Sequence, residues 1–213
     1  RQRTVYIEGL DYSNIKTTAG ELNQKQLRKV LEVEKTMHMM VTPSLEIIGD
    51  RQAVFYAANC DQGRHITEIF NRYKGNSARF IDGETPKDER RYLFEQYRQK
   101  GFQILVNVGV ATEGWDCPEV EVVIMGRPTK SRGLYTQIVG RGINNSTKPY
   151  CEVIDFHGNA GRHKLMWTGD ILGGTVDAAL SQRAREIMED ADGDLVDPEE
   201  AIEQARIEAE ERE

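Results

Sequence analysis

The sequence predicts an α/β protein: a three-layer, doubly wound parallel sheet with a helical lead-in before it and a charged helical tail after it. Three observations carry that prediction. The segments AVFYAA (53–58), FQILVNVGV (102–110) and VEVVIMG (120–126) are almost wholly apolar, as strands covered on both faces must be. They alternate with stretches of helical pattern, which gives repeated βαβ units. Finally, 213 residues with 38% hydrophobic and 30% charged side chains supply one core beneath a charge-rich surface.

The elements follow in order. TVYIEGL, within residues 1–12, is a short strand-like run. Thr18 and Glu21 have the spacing of a capping box. Leu22, Leu27, Val30, Leu31 and Val33 then recur near helical period, so one helix is expected over about Ala19–Met40, stopped by Pro43. After the strand at 53–58, GRHITEIFNRY (63–73) reads as an amphipathic helix and ARFIDG (78–83) as a short strand. PKDERRYLFEQYRQKG (86–101) is a helix with Pro86 at its first position, acids in its first turn and Gly101 to end it. RGLYTQIVGRG (132–142) looks helical and YCEVIDF (150–156) closes the sheet. AALSQRAREIMED and PEEAIEQARIEAEERE read as two charged helices with too few apolar positions for a core of their own, hence as solvated or as a segment leading into a further part of the protein. The expected division is a lead-in over 1–44, the α/β domain over 45–175 and an acidic tail over 176–213.

Composition excludes several classes. No run of 18 apolar residues exists, so no membrane-spanning helix is expected. RQRTVYIEGL lacks the apolar stretch of a signal peptide, and the expected location is cytoplasmic. Cys60, Cys117 and Cys151 form no CxxC pair, and His38, His65, His157 and His163 do not cluster with them, so reduced thiols and no metal site are expected. The net charge of −7 hides an asymmetry: Glu189–Glu213 carries twelve acids and two bases, leaving the rest of the chain at +3. A mildly basic body neither requires nor forbids a polyanionic ligand.

Three segments carry chemistry. LVNVGVATEGWDCP (105–118) takes an apolar strand into a loop with Gly109, Gly114 and Asp116, where backbone can approach a ligand and an Asp can accept from a ribose; an ordinary loop with a helix-capping Asp reads equally from these residues. YTQIVGRG (135–142) puts Gln137 and Arg141 at i and i+4 on one helix face, with Gly140 between, so an arginine can reach toward phosphate charge; a surface salt-bridge arginine is the plainer reading. In RFIDGETPKDERRYLFEQYRQKGFQILV (79–106), Gly83 and Thr85 beside a helix start suit phosphate contact, or simply a capped turn. No GxxxxGK[ST] and no Asp-Glu box after an apolar strand occurs, so the isolated chain is expected not to hydrolyse ATP.

In order and spacing these segments resemble the C-terminal RecA-like lobe of superfamily 2 helicases, in particular the bacterial DEAD/DEAH-box and restriction-type groups. The resemblance covers about residues 50–175. AVFYAANCDQGRHITEIFN looks like motif IV, LVNVGVATEGWD like motif V, and QIVGRG, preceded by RPTKS, like the start of motif VI, while CEVIDFHGNAGRHK is similar to the strand and turn that follow. It implies that Gly114 and Asp116 lie on the nucleotide side of motif V, and that Gln137, Gly140 and Arg141 face an ATP cleft. It also implies that Asn59, Gly83, Thr85, Gly109 and Thr129 lie where relatives touch a nucleic-acid backbone. ATP with magnesium is the implied cofactor, the magnesium ligands belonging to an N-terminal RecA-like lobe, and DNA rather than RNA the implied substrate. One departure stands out: motif VI places a second arginine at position 144, where this sequence has Asn144. Either the motor is degenerate or a loop is missing after Ile143. Besides a motor lobe, two other readings remain: a non-hydrolysing binding module, and an unrelated doubly wound enzyme, for which NCDQG after the first central strand offers only one glycine.

Overall fold

The computed structural model describes residues 1–110, 117–143, 149–160, 163–172 and 176–211, without the side chains of Ile143 and Asn159. In chain order its elements are β1 (Gln2–Asp11), β2 (Thr17–Thr18), β3 (Glu21–Leu22), α1 (Gln24–Leu31), α2 (Glu34–Ile48), β4 (Ala53–Ala57), α3 (Cys60–Tyr73), β5 (Ala78–Ile81), α4 (Lys87–Arg98), β6 (Ile104–Asn107), β7 (Val122–Gly126), α5 (Arg132–Ile143), β8 (Glu152–Asn159), α6 (Gly169–Leu172), α7 (Ala178–Asp190) and α8 (Pro198–Glu210).

Six strands form one sheet in the order β1-β8-β7-β4-β6-β5, with every pairing parallel. The apolar runs that predicted central strands do occupy the centre: every residue of β4, β6 and β7 is buried. Their side chains alternate between two cores. Phe55, Ala57, Val106 and Ile124 pack with α1, α2 and α3 on one face. Val54, Tyr56, Leu105, Val123 and Met125 pack with Tyr97 of α4 and Tyr135, Ile138 and Val139 of α5 on the other. This is the three-layer, doubly wound arrangement of a RecA-like lobe.

The lead-in departs from expectation. No single helix runs over Ala19–Met40. Thr17–Thr18 and Glu21–Leu22 form an antiparallel hairpin instead, turned by Ala19 and Gly20 at φ +50° and +84°. A capping box needs Glu21 inside a helix, and left-handed backbone at 19 and 20 prevents one from starting there. The cap is Asn23, whose side chain accepts from Gln26 N to open α1. Pro43 does not stop α2 but lies inside it, because that helix buries Met37, Met40, Val41 and Ile48 against the sheet, and this packing outweighs one lost backbone bond. The strand β1 is an edge strand of the main sheet, in register with β8 from Gln2↔Val153 to Tyr6↔His157.

The tail departs as well. Helices α7 and α8 are not solvated rods but pack on each other, with Ala184, Met188, Ala201, Ile202 and Ala205 closing on Trp167 in a small third core. The segment between them lies along the outer edge of β1: Gln2 and Val196 exchange two backbone hydrogen bonds of 2.9 Å, and Gly193 N donates to Thr4 O at 2.8 Å. Arg3 adds a bond to Gly193 O and an ion pair with Glu152, a buried carboxylate that also takes Arg51 at 2.6 Å.

Candidate functional site

Two surfaces hold the residues singled out by the sequence. The first is the edge where β4, β5, β6 and β7 reach their carboxyl ends. The second is the outer face of α5.

At the edge, Asn59 caps α3, its Oδ1 accepting from Gln62 N at 2.9 Å. Gln62 itself is fully buried and stitches two strand tips together: its Oε1 accepts from Ala58 N at 2.7 Å and its Nε2 donates to Gly126 O at 3.0 Å. Nothing in one sequence marks this glutamine, because a polar residue on an amphipathic helix reads as solvent-facing. Beyond β5, Asp82 organises the turn. Its Oδ1 accepts from Glu84 N, Thr85 N and Thr85 Oγ1 at 2.9–3.0 Å, and its Oδ2 pairs with Arg64 at 3.0 Å. Burial works against this carboxylate, yet the Thr85, Glu84 and Cys60 bonds win and hold its pKa below the ordinary value. The same contacts take up Thr85: its N–H and hydroxyl face Asp82, so they are not the free phosphate donors the sequence suggested. Gly83 is exposed. Gly109, just beyond β6, is exposed with φ +71°, a conformation that favours glycine. Gly114, Asp116 and Asn144 lie outside the described residues.

Thr129, expected at a nucleic-acid backbone, is buried at 1% exposure. Its hydroxyl donates to Glu21 Oε1 at 2.9 Å and accepts from Ser131 N at 3.0 Å. It anchors the loop between β7 and α5 and presents no exposed donor.

On α5 the inward residues are Tyr135, Ile138, Val139 and Gly142. A Cβ at Gly142 would overlap Cys151 Sγ and come within 2.9 Å of Val123 Cγ2, so glycine is what lets the helix end lie down on the strand starts. That packing leaves Gln137 exposed and Arg141 partly buried at the helix's far end, with Gly140 in open space between. Burial raises the Tyr56 phenol's pKa, and the Arg141 guanidinium opposes the rise. The surface this creates offers an amide and a guanidinium, which match anionic oxygens rather than a metal ion.

No helix among the described residues is long and apolar enough to cross a membrane.

Comparison with known proteins agrees with the geometry. The helicase conserved C-terminal domain family matches residues 31–145, more than half of the chain. The IRC3 protein of Saccharomyces cerevisiae, named as an ATP-dependent helicase, is 25% identical over 151 residues, 70% of this chain and 22% of its own length. The Schizosaccharomyces pombe irc3 protein, named as a mitochondrial ATP-dependent helicase, is 34% identical over 138 residues, 63% of this chain and 22% of its own. The chain thus spans less than a quarter of either relative. Among solved structures, a fragment named for the HsdR subunit of a type I restriction enzyme from Vibrio vulnificus shares the fold, with a TM-score of 0.55, 15% identity, and coverage of 76% of this chain and 31% of that one. The chain belongs to the helicase conserved C-terminal domain family, as the C-terminal RecA-like lobe of a superfamily 2 helicase of the DEAD/DEAH type.

Proposed function

We propose that this lobe supplies the α5 face to an ATP cleft completed by an N-terminal lobe, and that the strand-tip edge follows a nucleic-acid backbone, DNA in preference to RNA. The observation that carries the reading is the division of labour along QIVGRG: Ile138, Val139 and Gly142 fix the helix to the sheet, which leaves Gln137 exposed and Arg141 half-buried on its flank one turn later. ATP bound there with magnesium, whose ligands this reading assigns to the other lobe, supplies the phosphoryl group. Arg141 acts on the charge that develops as that group is transferred, and Gln137, one turn earlier on the same face, helps to orient it. Gly114, Asp116 and Gly140 belong to the nucleotide side in the same reading. Asn59, Gly83 and Gly109 belong to the edge that contacts phosphates. Thr85 and Thr129 shape their loops from within. Separate surfaces for nucleotide and strand are what a motor needs if closure on one is to move the other.

The test is Arg141→Ala in the complete protein. Nucleic-acid-stimulated ATPase is expected to fall roughly 10³- to 10⁵-fold, the range for arginine fingers, with nucleic-acid binding kept. A variant that retains half its turnover removes Arg141 from the mechanism. The second reading, a lobe that binds without turnover, rests on Asn144 standing where motif VI places arginine. Wild-type ATPase in the complete protein decides against it.

A further inference from the structure

The hairpin of the lead-in cannot stand alone. Its strands β2 and β3 have two residues each, and a ribbon that short has no independent stability. Leu22 is buried in the first core, and the polar side of the hairpin is held by a contact with a loop more than a hundred positions away. Glu21 Oε1 accepts from the Thr129 hydroxyl at 2.9 Å and from Lys130 N at 2.7 Å, and Lys130 Nζ returns a bond to Thr17 Oγ1 at 3.2 Å. The chain of bonds continues into α5. Thr129 Oγ1 accepts from Ser131 N at 3.0 Å, Ser131 Oγ accepts from Leu134 N at 3.2 Å, and Ser131 O accepts from Tyr135 N at 3.0 Å. Ser131 is thus the cap of α5, and the residue that fixes it is fixed in turn by Glu21.

We infer that Glu21 is a positioning residue: it ties the lead-in segment to the first turn of α5 and so sets where Gln137 and Arg141 lie. This rests on the reading of Arg141 proposed above. Acceptor chemistry supports it. Oε1 takes a hydroxyl and an amide N–H together, an acceptor role that an amide oxygen of the same length can also fill. The second oxygen, Oε2, is buried without a hydrogen-bond partner, which is costly if the residue serves stability alone. Burial lowers the pKa of Arg127, in the same loop, and the Glu21 charge opposes the fall; the Arg127 Nε is likewise buried without a partner. One side chain therefore acts on positions 127, 129 and 130 together. A helix transmits a tilt of its first turn along its length, and Gln137 and Arg141 lie one and two turns beyond Leu134. Displacements of about 1 Å at a transferring group cost on the order of a hundredfold in rate.

The experiment has two arms. In the first, amide hydrogen exchange is followed in this chain for wild type, Glu21→Ala, Glu21→Gln and Thr129→Val. Glu21→Ala and Thr129→Val are expected to raise exchange at Ser131 and Leu134 severalfold, with Val123 and Val139 unchanged; Glu21→Gln, which keeps an acceptor oxygen, is expected to stay close to wild type. In the second arm, the same variants are placed in the complete protein beside Arg141→Ala. Glu21→Ala and Thr129→Val are expected to lower kcat about 10- to 100-fold with KM for ATP within about twofold, and Glu21→Gln to recover most of the loss. Thr129→Val keeps the inference testable if Glu21→Ala fails to fold. Unchanged exchange overturns the tie. Loosened exchange with full kcat overturns the positioning role alone, provided Arg141→Ala is inactive. A Glu21→Gln variant as impaired as Glu21→Ala also overturns it, since charge and not the hydrogen-bonded link would then matter. If Arg141→Ala keeps its rate, the proposed function falls and this inference with it.

Discussion

The centre of the sheet and its β1 edge are built by different physics. Strands β4, β6 and β7 are buried at every residue, and their side chains fill two apolar cores. The strand β1 mixes buried and exposed positions: Val5, Ile7 and Leu10 join the first core, and polar contacts between distant residues add to its hold, Arg3 on Glu152, Gln2 with Val196, Gly193 on Thr4, and Asp192 on Tyr6. Burial of apolar surface is non-directional and tolerant of small shifts. Polar pairing is directional and fails when one partner goes. The centre therefore acts as a scaffold, and the edge as an attachment that records which remote segments belong together.

Four substitutions sharpen that contrast, in falling order of expected effect. Phe55→Ala removes a fully buried ring at the centre of the first core and is expected to cost about 3–5 kcal/mol in denaturant unfolding. A loss under about 1 kcal/mol would mean that this core is loosely packed. Glu152→Ala breaks the carboxylate shared by Arg3 and Arg51 at the edge and is expected to cost about 2–3 kcal/mol, less than a fully buried pair because both arginines keep access to water. If Arg3→Gln and Arg51→Gln each cost as much as Glu152→Ala, the three act as one unit; if the single losses simply add, they do not.

The third is a pH effect. Asp155 of β8 has its pKa raised to about 7, chiefly by burial, with Glu189 adding to the rise and Arg185 and the Phe156 amide opposing it. A folded-state pKa above the unfolded value near 3.8 favours the protonated, folded form, so this contribution is complete below about pH 4 and is lost as pH climbs through 7. Asp155→Asn is therefore expected to leave stability at pH 3 nearly unchanged and to raise it by about 1–2 kcal/mol at pH 5, each pH unit above the unfolded value being worth about 1.4 kcal/mol. Equal effects at both pH values would show that Asp155 does not titrate as described. The smallest effect belongs to a helix cap at the strand tips. Asn59→Ala is expected to cost about 1 kcal/mol, visible as a lowered Tm. Asn59→Asp, which retains the acceptor, should recover most of it.

What could be read from the sequence divides along the same line. Runs such as AVFYAA and VEVVIMG declare their burial residue by residue, and the QIVGRG pattern declares which helix bears the arginine, because both signals are local. Glu21 shows the opposite case. Its spacing from Thr18 imitates a capping box, but its partners are Thr129 and Lys130, and only the fold brings them near. Gln62 and Glu152 are invisible for that reason: a polar side chain on a helix or at a strand start gives no local sign that it is fully buried. The tail misleads through its composition. Its charges are real, but Arg183–Glu208 and Arg185–Glu189 pair many of them with one another, while small residues, Ala184, Ala201 and Ala205, let two helices close on Trp167. Alanine carries too little hydrophobic signal to announce a core.

The segment 192–196 has a meaning beyond attachment. A parallel sheet ends in a strand whose outer N–H and C=O groups have no neighbour, and such a rim invites another chain to continue the ladder. On the β1 side those groups are taken at Gln2, Thr4 and Tyr6 by Val196, Gly193 and the Asp192 carboxylate, with Gly193 in a left-handed conformation that curls the chain away after a few residues. The bridge is too short and too bent to be extended in its turn. It works as a stopper at that rim: a chain shortened before α7 is expected to carry an open, strand-accepting edge whose self-association rises with concentration.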